Sequence, residues 1–252
     1  MKNNLVGKLF AIVILLFTVL MSILLVENKL DPAEAKKIVA WFGLAVLLLG
    51  SVYMLFDKNA LRDSSTQKGD LKPYSYSRVQ LWWWSIIIIG SYLGVYAATG
   101  NYWDLNTTCL TLLGISTITT VSGKIVDNQQ NNDQQITRSQ DTYPSQGFIM
   151  DILSDENGMS VHRFQAFVFN ISFGLSFVVT VFSDLSAKAF PTYSPTILGA
   201  LGVSSGTYLA MKMNENKSNT QSASTTPVSN AVTTSGDELP DLNNKPAVAQ
   251  DN

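Results

Sequence analysis

The side chains that could do nucleophilic, acid–base or metal chemistry are few in this sequence. Among 252 residues there is one histidine, His162, and one cysteine, Cys109. A metal site built from histidines or thiolates needs several such ligands, and a serine nucleophile needs a base to activate it. His162 lies beside Arg163 at the foot of an apolar segment, so we interpret it as an interfacial polar residue. The sequence therefore predicts no enzymatic activity, no cofactor and no metal site.

Neutral hydroxyl groups are the main polar side chains inside the apolar segments. They cluster in LLGISTITTVSGK (residues 112–124) and ALGVSSGTYLAMK (residues 200–212). Ionisable groups inside a bilayer mark proton relays and voltage sensors, and the apolar parts of these segments contain none. The hydroxyls could line a pore or bond within and between packed helices, and both interpretations stay open. The candidate packing or pore-lining residues are Gly114, Ser116, Thr119, Gly202, Ser204 and Thr207.

Glycines at a four-residue spacing favour helix packing. Small residues at i and i+4 lie on one helix face and let two backbones approach closely. The pairs are Gly202 with Gly206 and Gly90 with Gly94, and Gly199 and Ala210 extend the first pair.

The elements that carry these residues are predicted to span a membrane. Only 14% of residues are charged, against about 25% in soluble domains. Residues 9–26 and 38–56 contain no charge, and about 20 apolar helical residues cross a bilayer. The first run lacks a small-x-small cleavage site near its end, so we expect a retained helix rather than a cleaved signal. The net charge of −2 indicates no nucleic-acid partner.

Six spans are predicted, and the basic residues of the loops orient them. Both termini and the two long connections are expected to be cytoplasmic by the positive-inside rule. The loop at 27–37 conflicts with this orientation, because it carries three lysines. The predicted spans cover residues 5–26, 38–56, 79–98, 105–123, 164–183 and 193–211. The bases expected at the cytoplasmic membrane edge, where they reach lipid phosphates, are Arg78, Lys124, Arg163 and Lys212.

Spans three and four resemble spans five and six. Each pair begins with S-x-x-R-x-Q, at Ser75 and at Ser160, and ends in one of the two hydroxyl-rich segments. The glycine, serine, threonine and lysine of these segments coincide without gaps. An even number of spans per copy gives a parallel repeat, and we expect an axis along the membrane normal. Each opening serine is predicted to cap its helix through its hydroxyl.

Four blocks also resemble those of a family of bacterial multi-pass membrane proteins that shares KPYS-x-x-R-x-Q, S-x-HRFQ and GIS-x-x-T. Here the blocks are KPYSYSRVQLWWW (72–84), LLGISTITTVSGKIVD (112–127), GFIMDILSDENGMSVHRFQ (147–165) and LGVSSGTYLAMK (201–212). The resemblance covers residues 72–212 and leaves the first two spans and the tail outside it. It implies a bacterial origin and a multi-pass topology, and it implies no activity.

Two polar stretches are predicted to be unfolded: the Gln/Asn-rich run 127–135 and the tail from residue 214. Between them, residues 147–155 are predicted to form a short helix on the membrane surface, with Asp151 and Asp155 facing water and a turn at DENG following it. The predicted units are an N-terminal hairpin (1–58), a cytoplasmic linker (59–74), repeat one (75–126), a linker with the short helix (127–159), repeat two (160–213) and a disordered tail (214–252).

The predicted architecture is an all-α bundle of six transmembrane helices with a tandem two-helix repeat. Its predicted function is a non-enzymatic membrane assembly or interaction module in the bacterial cytoplasmic membrane. The expected partners are the lipid bilayer and further copies of the chain, and the sequence names no protein partner. The alternative is an oligomeric channel or passive pore lined by the Ser/Thr-rich spans.

Overall fold

The computed structural model describes residues 2–27, 29–57, 59–133, 138–155 and 157–214, with side chains from residue 12 onwards. The described chain is almost entirely helical. Its six long helices are α1 (Lys2–Val26), α2 (Pro32–Phe56), α3 (Tyr76–Thr99), α4 (Thr107–Asn132), α7 (Val161–Ser183) and α8 (Pro195–Asn214). Two short helices, α5 (Ser139–Thr142) and α6 (Phe148–Leu153), precede a hairpin of β1 (Ser154–Asp155) and β2 (Gly158–Met159). The all-α prediction is confirmed.

Four of the described helices, α2, α3, α4 and α7, are long and apolar enough to cross a membrane. This indicates a multi-pass membrane protein. The described apolar part of α1, Ile12–Val26, is shorter than a full span. Helix α8 carries several hydroxyls and is less apolar. The prediction of six spans is therefore confirmed for four helices.

Helices α3, α4, α7 and α8 form a four-helix bundle in which α3 and α8 each pack against both α4 and α7. Large side chains from all four helices fill its interior. Trp84, Leu112, Phe177 and Leu201 each have 1% or less of their surface exposed. Side chains of this size fill the space between the four helices and fix them at close-packed distances.

The hairpin of α1 and α2 lies outside this bundle. Helix α2 packs against α3, where Gly43 faces Leu93 and Gly90 faces Leu47. Helix α1 contacts α2 at few positions, one of them a stacked pair of rings from Phe17 and Phe42. Most of its described apolar side chains are exposed, as expected of a helix that contacts lipid.

The two proposed repeat units lie side by side. Helices α3 and α7, which would correspond, are neighbours, and so are α4 and α8. A two-fold axis along the membrane normal would instead place corresponding helices on the diagonals of the bundle. The contacts therefore do not fit a central two-fold axis, and the tandem repeat and its axis stay predictions.

One end of the bundle, where α3 and α7 begin and α4 and α8 end, is covered by a polar cap. We define the polar cap as the described residues of 57–75 and 138–159. Its first segment is held together by Arg62, which donates to the Asp70 and Lys72 carbonyl oxygens and to the Tyr74 hydroxyl. A bridge between Arg62 and Tyr74 closes the segment.

Helix α6 is the short helix predicted within residues 147–155, and its side chains are placed differently from the prediction. Ile152 and Leu153 are buried in a cluster that contains Ala166 of α7 and Tyr208 of α8, whereas Ile149 is exposed. Asp151 is half-buried and accepts hydrogen bonds from the Tyr74 and Gln146 backbone N–H groups and from the Ser145 hydroxyl. The predicted turn at DENG is confirmed by the pairing of β1 with β2.

Three local predictions need correction or lie outside the described residues. Helix α4 continues to Asn132, so the part of the run 127–135 before that residue is helical and not unfolded. Residues 134 and 135 of that run lie outside the described residues. The predicted tail begins at residue 214, but Asn214 is the last residue of α8, and residues 215–252 lie outside the described residues. Ser75 and Ser160 do occupy the N-cap positions of α3 and α7, but neither side chain makes the predicted capping bond. Ser75 instead contacts the Ser77 hydroxyl at 3.3 Å.

Candidate functional site

The main group of buried charged side chains in the described chain is an ion cluster where the polar cap meets the ends of α4 and α8. The Lys212 ammonium lies 3.0 Å from Asp63 Oδ2 and 3.0 Å from Asp127 Oδ1. The side chains of Lys212 and Asp127 are each 3% exposed. Lys212 belongs to the last turn of α8, Asp127 to the end of α4 and Asp63 to the first segment of the cap.

A second cation closes the cluster from the other side. Arg138 lies 3.8 Å from Asp127 Oδ1 and 3.4 Å from Asp141 Oδ2, and its side chain is 4% exposed. It also donates to the Ser64 carbonyl oxygen. Asp141 in turn accepts from the Thr66 backbone N–H at 2.6 Å. Asp127 therefore contacts both cations, and the cluster contains three carboxylates against two cations.

The electrostatics of the cap favour the ionised form of Asp63. Burial alone would raise the pKa of this carboxyl, but the Lys212 ammonium and the hydrogen bonds to Asp63 outweigh burial. Together they hold the pKa of Asp63 well below its ordinary value. The aspartate is thus a permanent anion at neutral pH.

The cluster joins four parts of the chain that are distant in sequence. Asp63 and Lys212 are separated by 149 positions. Buried ion pairs add little net stability, because desolvation opposes their attraction, but breaking one leaves an uncompensated buried charge. The cluster therefore favours one specific arrangement of the ends of α4 and α8 and the two cap segments.

An open cavity of about 330 Å³ adjoins this cluster. Its wall includes Asp63, Tyr74, Asp151 and Arg163. The hydrogen bonds of Asp151 and the ion pair of Asp63 are used to hold the cap together. Among the described residues there is no group of three or more histidine, cysteine or acidic side chains arranged to hold a metal ion.

The structure separates the predicted packing or pore-lining residues into two groups. Ser116, Thr119 and Ser204 are buried, and the first two donate to the carbonyl oxygens four residues earlier, Leu112 and Ile115. Gly202, Gly114 and Thr207 lie nearer the surface. A Cβ atom added at Gly202 would be 3.9 Å from Ile115, one added at Gly114 would meet nothing within 4 Å, and Thr207 is exposed.

The two GxxxG pairs are used differently. In α3, a Cβ atom at Gly94 would lie 2.7 Å from the Phe182 ring, and one at Gly90 would lie 3.6 Å from Leu47. That pair therefore packs within the chain. In α8, Gly206 faces open space.

The four membrane-edge bases also differ from one another. Lys124 is exposed and Arg78 is half-buried. The Arg163 guanidinium lies 5.4 Å from the centre of the Tyr208 ring. Lys212 does not reach outward to lipid phosphates as expected, because its ammonium is buried between two carboxylates.

Sequence reasoning missed a polar contact that joins α3 to α7. The Asn170 side chain accepts from Trp84 Nε1 at 2.6 Å and donates to the Tyr76 hydroxyl at 3.1 Å. The backbone carbonyl oxygen of Asn170 accepts from Trp83 Nε1. Gly174, one turn later, makes room for the Trp83 ring. An asparagine within an apolar span was the available signal, because such a side chain needs partners.

Comparison with protein-family models, with curated proteins and with solved structures gives no match to this chain.

Proposed function

We propose that this protein is a non-enzymatic membrane assembly module whose copies associate through the outward face of α8. The observation that carries the proposal is the contrast between a filled bundle interior and an open small-residue face. The predicted family resemblance and the bacterial cytoplasmic membrane are part of the same proposal.

The filled interior of the bundle favours the assembly interpretation and argues against a pore inside a single copy. Trp84 and Phe177 occupy its centre, and the hydroxyls of Ser116 and Thr119 are bonded within α4. The Thr120 hydroxyl, which donates to the Ser77 carbonyl oxygen at 2.9 Å, joins α4 to α3. Hydroxyls used in this way stabilise helix contacts and are not free to replace the water around a permeant species.

The outward face of α8 has the features of a helix-association surface. Gly199, Gly206 and Ala210 are exposed, and a Cβ atom added at either glycine would meet nothing within 4 Å. Val203, on the same face, is 71% exposed. In a bilayer, helices gain little from hydrophobic burial, so a surface that permits close backbone approach favours association.

The proposed topology has all six long helices crossing the membrane, with both termini and the polar cap in the cytoplasm. Four helices are apolar enough by themselves. Helix α8 would cross as part of the bundle, because Ser204 and Ser205 are buried against its neighbours and Ser205 accepts from Gln80 at 2.9 Å.

Single-molecule photobleaching in liposomes tests association. We expect multiple copies per particle at low protein density, and a shift towards single copies for Gly206→Leu. The matched control is Ser172→Leu, which adds bulk to an exposed position of α7. Equal stoichiometry for wild type and Gly206→Leu would contradict the proposal.

Ion and solute flux through the same liposomes tests the alternative. If the protein assembles without conducting, we expect no ion or solute flux through liposomes that contain it. A conductance that is lost on Thr119→Leu or Ser204→Leu would instead establish the oligomeric channel.

A further inference from the structure

The bases Arg78, Lys124 and Lys72 differ from those of the buried cluster in having no acidic partner among the described residues. Among the described residues, Arg78, Lys124 and Lys72 are absent from the ion pairs, which involve Lys29, Lys37, Arg138 and Lys212. Lys124 is exposed, and Arg78 and Lys72 are half-buried. Their positive charge is therefore available to a ligand.

Helix geometry places Arg78 and Lys124 on the same side of the α3–α4 pair. Ser77 faces α4, because its carbonyl oxygen accepts from Thr120 and its hydroxyl would lie 3.3 Å from a Cβ atom at Gly123. Arg78 directly follows Ser77, and Lys124 directly follows Gly123. One residue turns a helix by about 100°, and in antiparallel neighbours the two turns carry both side chains to the same side.

The polar cap places a third base, Lys72, beside Arg78. Asn59 accepts from Arg78 Nη1 through its carbonyl oxygen at 3.1 Å and from Lys72 Nζ through its side chain at 3.0 Å. Two carboxylates lie near these groups along the chain: Asp57, whose Oδ1 accepts the Asn59 and Ala60 backbone N–H groups, and Asp70, two positions before Lys72. Three bases against these two carboxylates leave a positive excess. The Arg78 guanidinium has more N–H groups than these bonds use.

The surface beside Lys124 is apolar, which defines the ligand further. Ile118, Val121 and Ile125 of α4 are 66%, 54% and 51% exposed. A ligand that contacts both the bases and this apolar surface needs an anionic group for the bases and a hydrocarbon chain for the surface. Clusters of bases at the edge of membrane helices bind acidic headgroups in this way.

We propose that Arg78, Lys124 and Lys72 form a binding site for the phosphate of an anionic phospholipid, whose acyl chains lie along the exposed face of α4. The site rests on the proposed membrane insertion of α3 and α4 and is independent of association through α8. The shared chemistry is a phosphate group, and the competing source is free phosphate in solution.

Titration of the full chain in zwitterionic detergent micelles tests the site. The probes are short-chain phosphatidylglycerol, short-chain phosphatidylcholine and inorganic phosphate. We expect tighter binding of phosphatidylglycerol than of phosphatidylcholine, with a loss on the order of fivefold for each base removed. Lys124→Gln is the primary variant, because the exposed Lys124 makes no bond that the fold needs, and Arg78→Gln with Lys124→Gln extends the series.

Lys188→Gln, at an exposed position outside the cap, is the matched control and should bind as the wild type does. Equal affinity for both lipids, or an undiminished preference in Lys124→Gln and in the double variant, would overturn the site. Inorganic phosphate that displaces phosphatidylglycerol at comparable concentration would overturn the lipid as its ligand. Failure of association through α8 would leave this titration unchanged, so the two proposals fail separately.

Discussion

The Lys212 ammonium and the Asp127 carboxylate, near the ends of two neighbouring helices, meet at 3.0 Å with almost no exposure to solvent. Lys124 occupies the corresponding place in the other hairpin, by the sequence match, and is exposed. One lysine is thus part of the buried structure, and the other is available at the surface.

Replacing Lys212 by methionine is expected to destabilise the protein by about 3–5 kcal/mol, because Asp63 and Asp127 would remain buried without their shared cation. Chemical unfolding in zwitterionic detergent measures this loss. Lys124→Met is the control, and we expect its free energy of unfolding to stay within about 0.5 kcal/mol of the wild type. Similar losses for the two variants would show that the buried cluster does not fasten the bundle end.

The stability that Asp63 contributes is expected to depend on pH. Its pKa is lower in the folded protein than in the unfolded chain, so the contribution is complete above the ordinary carboxyl pKa of about 4. It is then lost progressively as the pH falls towards the lower folded pKa. Unfolding measured from neutral pH downwards should show a steeper loss for the wild type than for Asp63→Asn. Parallel curves for the two proteins would contradict this assignment.

Asn170→Ala is expected to weaken the contact between α3 and α7, because it removes the acceptor of the Trp84 indole N–H and the donor to Tyr76. An unpaired buried donor costs about 1–3 kcal/mol. Ser172→Ala, at an exposed position two residues away, should leave the free energy of unfolding unchanged. A loss of the same size in both variants would indicate a general effect on α7.

Gly174→Ala tests the close approach of Trp83 to α7. The added Cβ atom would lie 2.5 Å from Trp83 Nε1, so we expect overpacking to cost about 1–3 kcal/mol. Gly50→Ala in α2 meets no neighbour and should be neutral, or stabilising by up to about 1 kcal/mol through helix propensity. Thermal unfolding compares the two, and a neutral Gly174→Ala would mean that Trp83 can move aside.

The long helices could be predicted from the sequence because hydropathy and loop charge are local properties. The ion cluster could not be predicted from the sequence, because Asp63 and Lys212 meet only after folding. The polar amides that follow Asp127 predict an unfolded linker there. The helix continues there since Val126, Asp127 and Gln130 share a buried side, and Gln130 donates to the Lys212 carbonyl oxygen at 3.2 Å.

The positions of the hydroxyl groups could be predicted from the sequence, but which of them are buried could not. Ser116 and Ser204 hold matching places in the repeat and are both buried. Thr119 and Thr207 also match, yet only Thr119 is buried, because α4 has α3 and α8 on two sides while this face of α8 has no neighbour. The common ancestry of the two hairpins stays a prediction.

Cysteine cross-linking between copies in lipid bilayers tests the association face most directly. Single cysteines at Gly199, Gly206 and Ala210 of α8 are compared with single cysteines at Ser172 and Ser176 of α7, each in a Cys109→Ser background. Association through α8 predicts rapid disulfide-linked dimers for the three α8 positions and little for the two α7 positions. Equal cross-linking on both helices, or none on α8, would contradict the proposed assembly.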